Sequence, residues 1–215
     1  MRKTKNLLIG VCLLFVGLTI GNAGALTSDY DTGEDKALIE KVSNVYTSQI
    51  GVRELTGHND GVQVEEYLAS TGFKKGNAWC AAFVTWCFNT ATPEINTPRS
   101  AWAPSWFVKN IVYSKGKIIT DKPRQADTFG IYSAKDKRIS HIGFIDHWDT
   151  GDEYFISVEG NTNLAGSREG DGVYRKRRLK TAVYKVSRWI HKSNLAYLLP
   201  DKFPLLEFDS LRFVA

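Results

Sequence analysis

Apolar residues recur at helical spacing in the first half of the chain and at strand spacing in the second. From Asp35 to Ile50 the apolar positions are Leu38, Ile39, Val42, Val45 and Tyr46, one face of a helix that stops at Gly51. Residues 60–70 repeat the pattern with Val62, Val64, Tyr67 and Leu68, and Gly72 ends it. Asn59 and Asp60 are the expected caps of this second helix. A third helix is predicted over 80–91 and a short Trp-rich fourth over 101–111. After Tyr113 the period becomes two, and strands are predicted near 117–120, 127–132, 140–148, 153–159, 172–178 and 183–190. Helices followed by antiparallel strands define an α+β domain, here residues 35–190.

The first 25 residues follow neither period. Arg2, Lys3 and Lys5 precede an apolar run over 7–21, and Ala23-Gly24-Ala25 follows as a small-residue box. This is the layout of a cleaved signal peptide, which implies an exported protein. The run is shorter than the roughly 20 residues of a membrane span, so retention as an N-terminal anchor is the alternative. Residues 26–34 read as a linker and 191–215 as a tail that packs on the domain or dangles.

Charge means something different once the leader is set aside. It holds three of the 28 basic residues and none of the 23 acidic ones, which leaves 25 against 23, a net of +2. So small an excess on an exported chain argues against a nucleic-acid partner. One dense basic run, 175-RKRRLK-180, alternates along a predicted strand. It reads as a solvated face, with contact to an anionic wall polymer as the other possibility.

The stretch 76-GNAWCAAFVTWCF-88 holds two of the three cysteines; Cys12 lies in the leader. Cys80 and Cys87 are two helical turns apart, about 10 Å of rise, too far for a disulfide. No C-x-x-C spacing suggests a metal site, and no cofactor is called for. Cys80 falls on the first turn of the third helix, where free N–H groups and the helix dipole favour a thiolate and can hold an oxyanion. Cys87 lies deeper, among Phe83, Val84 and Phe88, as a packed thiol.

A nucleophilic thiol needs a base, and His141 in 138-RISHIGFIDHWD-149 is the candidate. Gly143 beside it leaves room for a substrate or a close helix. The next strand ends in Glu159 and Asn161, either of which can accept the His141 ring N–H. If the strands form a hairpin, an odd-length turn around Asp149–Asp152 sets His141 opposite Glu159, with Gly151 at positive φ. An even turn would put the two on opposite faces. His147 lies roughly 20 Å along the same strand and reads as a strand-end residue. His58 belongs to a loop and His191 to a solvated strand end.

Taken in order, 76-GNAWCAAFVTWCF-88, 140-SHIGFI-145 and 159-EGNTN-163 resemble the CHAP family, the cysteine, histidine-dependent amidohydrolases/peptidases, over about residues 38–190. The resemblance implies a papain-like fold, with the Cys80 helix packed on an antiparallel sheet. It also implies an enzyme that cuts amide bonds of peptidoglycan. Cys80 would be the nucleophile, His141 the base and then acid, and Glu159 the residue orienting it, with Asn161 as a second polar group. Family members often have Pro-Gly-Asp before the first strand, whereas this chain has 123-PRQADTFG-130, with Asp127 displaced and no glycine.

Candidate substrate-binding residues are Asn77, Trp79, Trp102 and Trp106. Trp102 and Trp106 are either core or a stacking wall of a groove. Asn77 either serves its loop or donates to the oxyanion. The alternative function is a non-catalytic wall-binding module on the same scaffold.

Overall fold

A computed structural model describes residues 33–164 and 170–191. Residues 1–25, read as a signal peptide, most of the segment 26–34 read as a linker, and the tail beyond His191 lie outside the described residues. The described part begins with three helices, α1 (Gly33–Ser48), α2 (Val62–Ala69) and α3 (Cys80–Ala91). α1 starts inside the segment read as linker. It buries Leu38, Val42 and Tyr46 at a spacing of four and runs out before Gly51, whose φ is 101°. α2 is not capped by Asn59 or Asp60. Its N-cap is Gly61, and Asp60 instead accepts from the Thr56 N–H at 2.9 Å and the Thr56 hydroxyl at 2.8 Å. α3 is buried nearly all round, from Cys80 to Phe88, which suits a helix enclosed by other elements. A 3-10 turn, Ala103–Phe107, stands where a fourth helix was expected; it carries Pro104 and buries Trp106 and Phe107.

The strands are β1 (Ile111–Ser114), β2 (Lys117–Ile118), β3 (Thr128–Ser133), β4 (Arg138–His147), β5 (Tyr154–Thr162), β6 (Gly172–Leu179) and β7 (Lys185–Ser187). β1 is the strand the pattern did not announce. The seven form one sheet in the order β2-β1-β7-β3-β4-β5-β6, with antiparallel pairing throughout. The described residues thus form an α+β domain with the Cys80 helix packed on an antiparallel sheet, as expected.

Both faces of the central strands are covered. Phe144 joins Tyr46, Phe83 and Phe88 in the core between helices and sheet, stacking on Tyr46 at 4.7 Å. Its neighbour Ile145 points the other way, into a second cluster with Tyr113, Phe129, Phe155 and Val186. Gly160 lets β5 lie directly on α3, since a Cβ there would stand 2.7 Å from both Phe83 Cγ and Trp79 Cζ3. The close helix that Gly143 was expected to admit therefore meets Gly160 instead. Among the described residues, no helix is long and apolar enough to cross a membrane.

The β4–β5 hairpin departs from its expected turn. His147 pairs with Ile156, so the residues between them are even in number. Gly151 is not at positive φ; its N–H bonds to Asp149 Oδ1 at 3.0 Å. A β-bulge between Ile145 and His147 supplies the missing residue and restores Ile145↔Ser157 and Phe144↔Val158. Continuing that register sets Glu159 opposite Gly143. His141 then sits two residues further along the same face. The two share a face as expected, but diagonally, and the bulge is responsible rather than the turn.

Candidate active site

α3 opens on Cys80 itself, with Trp79 as N-cap and no side chain capping the first turn. Helical N–H groups at this end lack intrahelical partners, so they face the thiol and whatever binds beside it. The Cys80 side chain is hydrogen-bonded by His141, and backbone N–H groups of Ala81 and Ile142 also reach it. His141 turns its Nε2 to Glu159 Oε2 at 2.7 Å, which leaves Nδ1 for the thiol. His141 thus lies between Cys80 and Glu159, joining side chains from α3, β4 and β5.

β4 brings two adjacent residues to the same place. Pairing with β3 skips from Ile131↔His141 to Tyr132↔Ile139, so Ser140 is a bulge residue. In a regular strand Ser140 and His141 would face opposite ways. Here Ser140 lines the groove at Cys80 while His141 bonds the thiol.

Glu159 is completely buried, and its carboxylate is saturated. Arg178 forks it, Nε to Oε1 and Nη2 to Oε2, and the Ser157 hydroxyl donates to Oε1. Gly143 makes the room for this side chain, not for a substrate. A Cβ at residue 143 would lie 2.7 Å from Glu159 Cγ and 2.9 Å from Phe129 Cε1. Arg178 belongs to the basic run read as a solvated face. Arg175 and Arg177 are exposed as expected, but Arg178 on the alternate face turns inward.

Protonation follows from these contacts. Burial pushes the Glu159 carboxyl up, but the Arg178 fork and the His141 hydrogen bond outweigh it and hold the group well below the carboxylate range. Burial disfavours a charged His141, yet its bonds to Cys80 and Glu159 raise its pKa to about 9. Burial also opposes the Cys80 thiolate, and the His141 hydrogen bond and charge with the two backbone N–H groups bring its pKa below the ordinary thiol value. The arrangement supports a thiolate–imidazolium pair at neutral pH. Cys87 has no such help: burial alone pushes it well up, and it is fully enclosed.

The other expected site residues divide. Trp102 is 52% exposed and lines a groove of about 230 Å³ with Phe73, Asn77, Cys80, Arg138 and Ser140. Trp79 and Trp106 are fully buried and are not among the residues lining this groove. Trp79 stacks on Tyr67 at 5.5 Å and gives its indole N–H to Glu54 at 2.8 Å; Trp106 stacks on Phe88 and donates to Ser100 O at 3.2 Å. Asn77 lines the groove, but its amide donates to Lys74 O at 2.9 Å, the loop role. Asn161 stands at φ 52°, within a bulge of the β5–β6 pairing. His147 is exposed at the end of β4. Asp127 is buried and forked by Arg188 at 3.0 and 2.9 Å, and Ala126 before it takes φ 65°, the conformation a glycine would adopt more easily. Among the described residues, no group of His, Cys, Asp and Glu side chains is placed to hold a metal.

No protein-family model matches this sequence, and no curated protein does. Solved structures with a similar chain course include an NlpC/P60 family protein from Bacillus cereus ATCC 10987, with a TM-score of 0.42 and 10% identity over 71% of this chain. A mutated form of the resuscitation promoting factor interacting protein RipA gives a TM-score of 0.44 and 16% identity over 79% of this chain and 70% of that one. Ly7917 with the hydrolyzing product of MDP gives 0.38 and 14% over 70% of this chain and 63% of that one. The chain spans 40% of the Bacillus cereus protein's length.

Proposed function

We propose that this protein is an exported cysteine hydrolase of peptidoglycan, acting on an amide of the stem peptide. That amide is either the muramoyl–L-alanine bond or a peptide bond in the stem or cross-bridge. The carrying observation is the Cys80–His141–Glu159 relay at the start of α3, with a thiol pKa brought down and an imidazole pKa brought up. The ordered motifs that resemble the CHAP family point the same way.

In this reading the Cys80 thiolate adds to the carbonyl carbon. Backbone N–H at the start of α3 holds the oxyanion. The His141 imidazolium protonates the leaving amine, and the neutral ring then activates the water that releases the acyl group. Glu159 stays ionised throughout, fixing the ring through Nε2. Asn161, two residues beyond Glu159 near the end of β5, is assigned as a second polar group of the site, and Trp102 and Asn77 contribute to the groove wall.

The test is incubation of the protein and its Cys80→Ala variant with purified peptidoglycan, followed by mass spectrometry of soluble fragments. Fragments from the native protein alone establish the hydrolase, and their masses name the bond. No fragments from either, with both folded, would transfer the assignment to a non-catalytic wall-binding module.

A further inference from the structure

The groove beside Cys80 has one charged lining residue among those described, Arg138. Its guanidinium lies over the exposed face of Trp102, 4.3 Å from the ring centroid. One donor, Nη1, reaches Ile139 O at 3.2 Å, and among the described residues no ion pair engages Arg138. Guanidinium donors lie in the plane of the group, so those of Arg138 not spent on Ile139 O can form two parallel hydrogen bonds to a carboxylate. Trp102 restricts the side chain before any ligand arrives, which reduces the entropy lost on binding. Apart from Cys80, the rest of the described wall is uncharged, including Phe73, Asn77, Ala101 and Ser140, and no carboxylate is among its described lining residues.

We infer that Arg138, seated on Trp102, is a carboxylate clamp that selects substrates carrying a free carboxylate beside the scissile amide. This rests on the hydrolase reading for what is cut, but the clamp itself is a binding property. In peptidoglycan chemistry it separates stem peptides with a free D-glutamate α-carboxyl from those in which that group is a carboxamide. The carboxamide matches the carboxylate in shape but presents one acceptor and no charge, so it cannot complete the fork.

Two stem-peptide ligands differing only at that carboxyl would be titrated calorimetrically against the Cys80→Ala protein, so that binding is read without turnover. Tenfold or greater preference for the acid is expected. Adding Arg138→Gln should bring the two affinities within twofold, mainly by weakening the acid. Arg138→Lys should keep part of the preference, because charge survives and the planar fork does not. Equal affinity for both ligands, no binding of either, or an undiminished preference in Cys80→Ala/Arg138→Gln would overturn the clamp. Native protein assayed in parallel keeps the two ideas apart. Discrimination without turnover of either ligand would sink the hydrolase and spare the clamp, while turnover of both at one rate with equal affinity would do the reverse.

Discussion

Replacing Arg178 by Met is the most direct probe of how the relay is held. Glu159 has no exposed surface, and the Arg178 side chain is 22% exposed. Removing one partner of a buried ion pair costs roughly 3–5 kcal/mol, because the other charge is left behind. His141 and Ser157 still serve the carboxylate here, so a loss of about 3 kcal/mol is expected, the low end of that range. Urea unfolding of the native protein, Arg178→Met, Glu159→Gln and the double variant gives the cycle. The double variant should lose less than the sum of the singles by about 2 kcal/mol. Acidity supplies a second reading. Because the folded Glu159 pKa is depressed, its stabilisation is fully present above the ordinary value of 4.5 and fades as pH falls below it. Arg178→Met moves the folded value back toward ordinary, so its deficit should be largest at pH 7 and shrink toward pH 3. An Arg178→Met cost under about 1 kcal/mol, or an equal cost in the Glu159→Gln background, would refute this account of the fork.

Iodoacetamide should alkylate one thiol rapidly below pH 8, and Cys80→Ser should abolish that phase while Cys87 stays inert until unfolding; a rate rising only at an ordinary thiol pKa would contradict the ion pair. Stabilisation from His141 should be complete below pH 6.5 and disappear as pH rises to about 9, read as a falling urea midpoint that His141→Gln does not show. Gly143→Ala should cut turnover by at least tenfold by driving its Cβ onto Glu159 Cγ, and retained activity in the folded variant would show that Glu159 need not stand where it does. Trp102→Ala should raise KM with little change in thermal stability, whereas Trp79→Phe should lower stability by about 1–2 kcal/mol through the lost bond to Glu54 and leave KM alone.

Much of the framework was legible because it depends on period. The apolar spacing located α3 to the residue, and with it Cys80 on the first turn. Alternation along 140–148 and 153–159 found the strands that carry His141 and Glu159. β1 escaped because Ile111-Val112-Tyr113 is a continuous apolar run with no alternation to separate it from the helix-like stretch before it. Arg178 escaped because a basic run on an edge strand has the composition of a solvated face, and only Glu159, 19 residues away, makes one of its members an interior residue. Sequence alone assigns Trp79 to the substrate and leaves Trp106 between core and groove wall, because burying an indole depends on a distant acceptor, Glu54 in one case and the Ser100 carbonyl in the other. Bulges leave little trace in hydrophobic pattern, so the parity joining His141 to Glu159 was placed in the turn rather than in the strand.

That placement bears on how such a chain can change. With the extra residue lodged at Asp146 inside the ladder, the alignment of the relay is settled upstream of the tip of the hairpin. The exposed connection over 149–153 can then gain or lose residues without inverting the side chains beyond it. An insertion between Ile145 and Glu159 on the paired side of the bulge has no such freedom, since one added residue would turn Glu159 away from His141. Variation in loop length and conservation of chemistry are thus assigned to two segments of one hairpin, separated by a single irregular residue.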